Sequence, residues 1–460
     1  MISTYARCLR YFAGRGSEMP AASRDFVPTR PLRVLRLTPY FFFEQPPNGH
    51  WDLRVEPVGG MQVQVTEQTR ALAERGIGQL LLALGHPGVP RDLEILPGAR
   101  LITVRLPHPA PRSESKGMVG LLANWALGSL LWALRANLQG KARQFDVVHC
   151  HCSELVWTFL AAPLVARLLD LPLVLTVHCS ALFTAHPGTW IEALGHPIAQ
   201  RAERRALAAA DRVLVLTPRM ARNYVEHRLV HTDRIEVVPD CVNPATFTRP
   251  VSDEIAAWRE KAGVPPGRRI LAYVGRVAPE KGWIILVNAV ARMDASDLHV
   301  VVCGDGHQLN DFKRKVRERG LSGRFTFTGF VPRRVVRLVL GAAAAMVLPS
   351  LHEELGGTLL EAIAVGTPVV ASAVGGIPDV VTDGVEGLLV PPGDPEALAR
   401  ALARVLAQPW NMRAALDPAF SSEAVAERLD RVYGAVCAMN AARRCVSLAA
   451  APNVSSPGER

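Results

Sequence analysis

Short apolar runs alternate along this chain with longer stretches whose apolar residues recur every three or four positions. The first pattern suits strands buried on both faces and the second suits amphipathic helices, so the alternation predicts parallel α/β architecture. Strands are expected at 32–37, 79–84, 101–106, 145–149, 173–178, 212–216 and 235–238, with helical spacing over 62–74, 155–169 and 198–209. The stretch "PDCVNPATFTRP" at 239–250 interrupts the pattern with Pro, Asn and Thr, as a linker does. The series then restarts, with strands expected at 270–275, 298–303, 325–328, 345–348, 368–371 and 387–390, and a last helix over 422–439. Two such series predict two Rossmann-like, doubly wound parallel-sheet domains facing across a cleft, with ligands at the carboxyl ends of the strands. The expected division is a flexible N-terminal extension at 1–30, domains at 31–243 and 244–420, a helix at 421–440 packing back across the boundary, and a disordered tail at 441–460.

Composition narrows the chemistry. A chain of 460 residues exceeds what one core serves, and 49% hydrophobic with 20% charged residues is globular. The formal charge of +10 and pI near 9.5 favour anionic ligands. Nucleic acid, acidic lipid and phosphorylated metabolites are the anions such a charge attracts, although an Arg-rich, Lys-poor composition can also carry it merely scattered over the surface; nucleic acid is not expected as a partner. Eight cysteines are too sparse for a secreted disulfide framework, which points to a reducing, cytoplasmic compartment. His149-Cys150-His151-Cys152 resembles a metal motif, but strand alternation separates the Cys pair from the His pair and no second pair follows at zinc spacing. No metal is expected. Residues 1–30 lack the apolar core of a secretory signal. The one membrane candidate, "MVGLLANWALGSLLWAL" at 118–134, is at the short end of spanning length, contains Asn124, and reads as a buried or surface-docked helix.

Four stretches carry candidate chemistry. Gly59-Gly60 ends a loop and opens a helix, where amides without a Cβ in the way approach an anionic oxygen. In "YVGRVAPEKG" a strand ends at Gly275 and presents Arg276 and Lys281, a bidentate and a point-charge phosphate binder; the Walker A spacing is absent. The strand before Gly304-Asp305-Gly306 ends in a tight turn, and "GFVP" at 329–332 offers Phe330 and Val331 to a nucleobase edge. Finally, "LHEELGGTLLEA" sets Glu353 and Glu361 around Gly356 and Gly357. Two carboxylates so placed suit metal ligation, acid/base work, hydroxyl reading or mere solvation.

Together these pieces resemble the GT-B glycosyltransferases of the retaining nucleotide-sugar family numbered four. The match rests on the Gly pair at 59–60, "DVVHCH", "TVH", "VVPDCVNPATF", "GRVAPEKG", "GDG" and the run "PSLHEELGGTLLEAIAVGTPVVASAVGGIPDVV", and covers most of 32–440. It implies that Arg276 and Lys281 bind the donor diphosphate, that Glu361 reads the ribose, and that Glu353 reads the transferred sugar. It further implies that Gly356, Gly357 and Thr358 amides face the diphosphate, His178 contacts the sugar near its reacting carbon, and Gly60 approaches phosphate from the opposing domain. No cofactor or metal is implied. Asp240-Cys241 stands where the family often has Asn-Gly, expected to affect the linker more than the site, and Leu355 stands where Phe is common beside the donor sugar.

The loop "YFFFEQPPNGHWDLRVEPVGGMQ" mixes aromatics with Glu44, Asp52 and Glu56, a lining suited to a cationic polyol. It resembles the aminoglycoside-pathway enzymes that glycosylate 2-deoxystreptamine. This implies UDP-N-acetylglucosamine or UDP-glucose as donor and a small polyol or aminocyclitol as acceptor. The rival readings are a transferase using a lipid or polysaccharide acceptor at a membrane surface, a nucleotide-sugar epimerase, a dinucleotide oxidoreductase, which lacks its GxGxxG turn, and a non-catalytic binder.

Overall fold

The computed structural model describes residues 30–43, 59–85, 89–104, 114–153, 156–184, 190–407, 410 and 416–449. All but the last residue of the N-terminal extension lies outside them. The first domain holds β1 (Arg33–Leu37), β2 (Gly78–Leu84), β3 (Asp92–Leu96), β4 (Ala99–Val104), β5 (Val147–Cys152), β6 (Leu173–Val177), β7 (Arg212–Val215) and β8 (Ile235–Val237), in sheet order β3-β4-β2-β1-β5-β6-β7-β8. Every pair is parallel except β3 with β4. Strand β3 escaped the sequence reading because "DLEIL" carries charges, as exposed edge strands do to discourage further pairing. Strand β5 runs past the expected end at 149 to Cys152, and all its residues are buried.

The second domain holds β9 (Arg269–Val274), β10 (Leu298–Cys303), β11 (Phe325–Gly329), β12 (Ala343–Leu348), β13 (Val369–Ser372) and β14 (Gly387–Val390), all parallel in the order β11-β10-β9-β12-β13-β14. Strand order reverses between β1 and β5 in one sheet and between β9 and β12 in the other. Those reversals open the crevices where doubly wound sheets bind ligands.

The apolar run at 118–134 lies in the helix Glu114–Leu138, which buries Trp125 and lets its indole N–H donate to the Leu82 carbonyl at 3.1 Å. Among the described residues no helix is long and apolar enough to cross a membrane. The final helix, Ser422–Ala449, buries Val425, Leu429, Val432, Tyr433 and Val436 against Leu32, Val34 and Leu72 of the first domain. It continues past residue 440, where a tail was expected to begin, and there Arg443 pairs with Asp211 at 2.5 Å and Arg444 with Asp170 at 2.8 Å. The two chain crossings between the domains lie side by side. Val242 N–H donates to the Phe420 carbonyl and Ser422 N–H to the Val242 carbonyl, each at 3.0 Å.

Candidate functional site

The loop after β9 and the loop after β12 meet at the second sheet's reversal. Gly282 takes a left-handed φ of 65°, and a Cβ there would come within 1.9 Å of the Pro349 carbonyl oxygen, so only glycine lets the two loops close. That closure brings Lys281 Nζ to Glu353 Oε2 at 2.6 Å, with Ser350 Oγ also donating to Glu353 at 3.3 Å. Arg276 goes elsewhere. Its half-exposed guanidinium pairs with Glu280 at 2.8 Å, so in this state the two expected phosphate cations do not converge. Gly304 and Gly306 press on the carbonyls of Gly275 and Val277, which explains the "GDG" turn as support for the Arg276 loop.

The backbone of Glu353 and Glu354 rests on a second glycine pair that sequence reading passed over. A Cβ on Gly375 would fall 1.5 Å from the Glu353 carbonyl oxygen and one on Gly376 would fall 2.2 Å from that of Glu354. Beyond this loop the helix Gly357–Val365 starts from Gly356 in the left-handed region, φ 87°. Its first amides, around Gly357 and Thr358, make the positive end of a helix available to an anion. Leu355 is 1% exposed and belongs to the core beneath the loop, so the departure from Phe alters packing there and not the wall of the site.

One turn into that helix Glu361 is buried, and Arg333 grips its Oε1 through Nη2 at 3.0 Å and Nε at 3.3 Å. The same guanidinium reaches Glu67 of the first domain and sits 4.8 Å over the Phe247 ring. Burial raises the Glu361 carboxyl pKa while Arg333 opposes the rise. Arg333 was missed because a cation at a helix start carries no motif. Its signal was position, directly after "GFVP". There Phe330 packs edge-on to Phe42 of the first domain at 6.4 Å, and Val331 packs against the core. Replacing Glu361 by Ala is expected to raise the dissociation constant for UDP by roughly tenfold or more, the worth of a hydrogen bond to a charged group. Calorimetric titration showing unchanged UDP affinity would refute the ribose role that the resemblance implies.

The first domain supplies the facing wall. Gly59 caps the helix Gly60–Glu74, with its N–H bonded to Gln62 Oε1 at 3.0 Å, and a Cβ on Gly60 would meet nothing within 4 Å among the described residues. Gln64 clasps the Cys241 backbone, donating to its carbonyl at 2.9 Å and accepting from its N–H at 2.7 Å. The clasp aims Asp240 into the site rather than the linker, correcting the sequence reading of Asp240-Cys241. Asp240 is 6% exposed, its Oδ1 has no hydrogen-bond partner among the described residues, and its Oδ2 lies 3.7 Å from where a Gly357 Cβ would stand. His178 Nδ1 is 3.9 Å from that Oδ1. Glu44, Asp52 and Glu56 lie outside the described residues.

Burial, reinforced by Glu353 and Glu354, pushes the Asp240 carboxyl up to about 8. The unfolded chain ionises near the usual 3.8. A raised carboxyl binds its proton more tightly in the folded state. Its stabilisation is therefore complete below about pH 4 and is lost as pH rises through the folded value. Asp240→Asn is expected to flatten this decline, read as Tm against pH; an unaltered profile would assign the decline to other groups.

Residues 59–241 match the glycosyl transferase 4-like domain and 254–420 match glycosyl transferases group 1. The chain is 43% identical over 377 residues to a 2-deoxystreptamine N-acetyl-D-glucosaminyltransferase of Streptomyces fradiae, covering 80% of this chain and 87% of that protein. It is 38% identical over 352 residues to a 2-deoxystreptamine glucosyltransferase of Streptomyces kanamyceticus, covering 76% and 90%. Among solved structures, a sucrose-phosphate synthase from Thermosynechococcus elongatus matches with a TM-score of 0.69 at 24% identity over 92% of this chain and 100% of that one. The catalytic domain of starch synthase IV from Arabidopsis thaliana, bound to ADP and acarbose, matches at 0.68 with 15% identity, covering 89% of this chain and 100% of that one.

Proposed function

The chain belongs to the group 1 glycosyl transferases and is a glycosyltransferase of GT-B fold, and from that premise we propose that it moves an N-acetylglucosaminyl or glucosyl group from a UDP-sugar to 2-deoxystreptamine. The observation that carries the reading of the site is one juxtaposition. The Lys281–Glu353 pair leads into the amino end of the helix Gly357–Val365, directly across from His178 and Asp240. A diphosphate at the helix end meets backbone amides and Lys281, and Arg276 is proposed to join them on leaving its exposed pair with Glu280. Cations placed where charge grows on the departing nucleotide lower the barrier to its release.

Glu361 receives the ribose hydroxyls and Glu353 the hydroxyls of the transferred sugar, so donor binding loosens the Lys281–Glu353 pair and frees Lys281 for phosphate. Lys281, Arg276 and the helix amides supply the positive charge that a divalent ion gives other transferases, and transfer is proposed to be metal-independent. Retention follows if the acceptor attacks from the leaving-group face, with a donor phosphate oxygen taking its proton. The identity to the two 2-deoxystreptamine transferases supports the acceptor.

Mass spectrometry of products from UDP-N-acetylglucosamine and UDP-glucose, each offered with 2-deoxystreptamine and other aminocyclitols, tests the reading. Glycosylated 2-deoxystreptamine is expected. Epimerised donor in the absence of acceptor would overturn it. The same assay in excess EDTA is expected to retain full rate, and a strict requirement for Mg²⁺ would refute metal independence.

A further inference from the structure

Behind His178 runs a buried chain of nitrogen-bearing side chains. Arg36 on β1 is wholly buried and is held by Thr69 at 2.8 Å, Gln68 at 2.9 Å and Gln79 at 3.1 Å. Its Nη2 lies 2.6 Å from His151 Nε2, and His151 Nδ1 lies 3.0 Å from His178 Nε2. These contacts admit one arrangement of protons. A guanidinium only donates, so His151 Nε2 accepts and carries no hydrogen. A neutral His151 then bears its hydrogen on Nδ1 and donates to His178 Nε2. His178 in turn bears its hydrogen on Nδ1, the atom that faces Asp240 and the site.

We propose that Arg36 and His151 are positioning residues that fix His178 as a one-way hydrogen-bond donor, presenting Nδ1–H to an oxygen of the bound sugar or phosphate. His178 is thereby excluded as a general base, since one nitrogen is occupied by His151 and the other already carries its hydrogen. No proton is transferred along the chain. Each ring keeps one hydrogen throughout the reaction, and the acceptor's proton leaves by another route. Burial and the Arg36 charge push His178 down to about 3 and His151 well below its usual value, so both rings stay neutral at working pH. The groups facing these rings are Arg36, His149 at a ring separation of 4.4 Å, and Asp240. His149 is itself occupied by Tyr433 at 2.7 Å and Thr176 at 2.8 Å.

The role of His178 toward substrate rests on the proposed transferase reading, whereas its tautomer is tested without any substrate. Nitrogen NMR of the histidine-labelled protein, assigned with His178→Ala, is expected to show a neutral His178 with a protonated Nδ1 from pH 5 to 9. A protonated Nε2, or an imidazolium appearing in that range, would overturn the proposal. Adding UDP-N-acetylglucosamine is expected to shift the Nδ1–H resonance, and no shift at saturating donor would remove the contact while leaving the tautomer intact. Arg36→Gln, whose amide can donate or accept, is expected to mix the two tautomers and lower kcat about tenfold, with the KM for donor nearly unchanged. Arg36→Lys, again donor-only, is expected to restore the single tautomer. Should Arg36→Gln fail to fold, the wild-type spectrum decides alone; should it fold and keep the wild-type His178 signal, Arg36 has no positioning role.

Discussion

Lys281→Ala is expected to lower kcat by about 10²–10³-fold, the usual cost of deleting one preorganised group aimed at developing charge. The reason is its place. Lys281 is the cation that the Gly282–Pro349 contact pins beside the helix end, and its present partner Glu353 is one that a sugar would claim. On the proposed reading, removing it leaves only the helix amides and Arg276 to face the diphosphate. Glu353→Gln separates the two roles: it releases Lys281 from its ion pair yet removes an acceptor for sugar hydroxyls, so turnover falls more than UDP affinity. Steady-state kinetics with saturating donor, alongside a thermal melt to confirm folding, decides the matter. A Lys281→Ala enzyme within about threefold of the parent, an effect under 1 kcal/mol, would dismiss the electrostatic role.

Gly375→Ala is expected to be the most damaging single methyl in the second domain. At φ 57° an alanine sits in the left-handed region, and its Cβ would lie 1.5 Å from the Glu353 carbonyl oxygen. Backbone must move. The conformational cost and the overpacking cost are each on the order of 1–3 kcal/mol, and the shift displaces Glu353 and with it Lys281. A drop of several degrees in Tm together with near loss of transfer is the expected result, whereas Gly60→Ala, where an added Cβ meets none of the described residues, should leave Tm almost unchanged. Equal melting temperatures for the Gly375→Ala protein and the parent would mean that the loop relaxes freely and the glycine is not required.

Much of this was legible because periodicity and strand-end glycines are local. The apolar runs marked nearly every central strand, and the stretches at 275–282 and 351–362 fell at the strand-order reversal that the two-series pattern implied. What stayed hidden depends on pairings far apart in sequence. Arg333 becomes meaningful only once Glu67 and Glu361 arrive from two domains to share it. Arg36 reads as an intruder in "RVLRL" until α/β packing sets Gln68, Gln79 and His151 around it. Asp240 looked like linker because Gln64, which holds the backbone of the next residue, and His178, which stands 3.9 Å from its carboxylate, lie over sixty residues away along the chain. The "HCHC" stretch shows the converse: alternation placed its faces correctly, but only the neighbouring strand reveals that His151 leads to His178.

The side-by-side crossings at Val242 and Ser421 bear on how the cleft can shut. A single linker would let one half of the protein swivel in any direction, whereas two strands tied by paired hydrogen bonds resist torsion and yield mainly to bending. The two halves are thus hung like a door on one pin. A hinge so restrained would keep Gly60 and His178 facing Lys281 along a single path, leaving a bound ligand little to do in aligning the two walls.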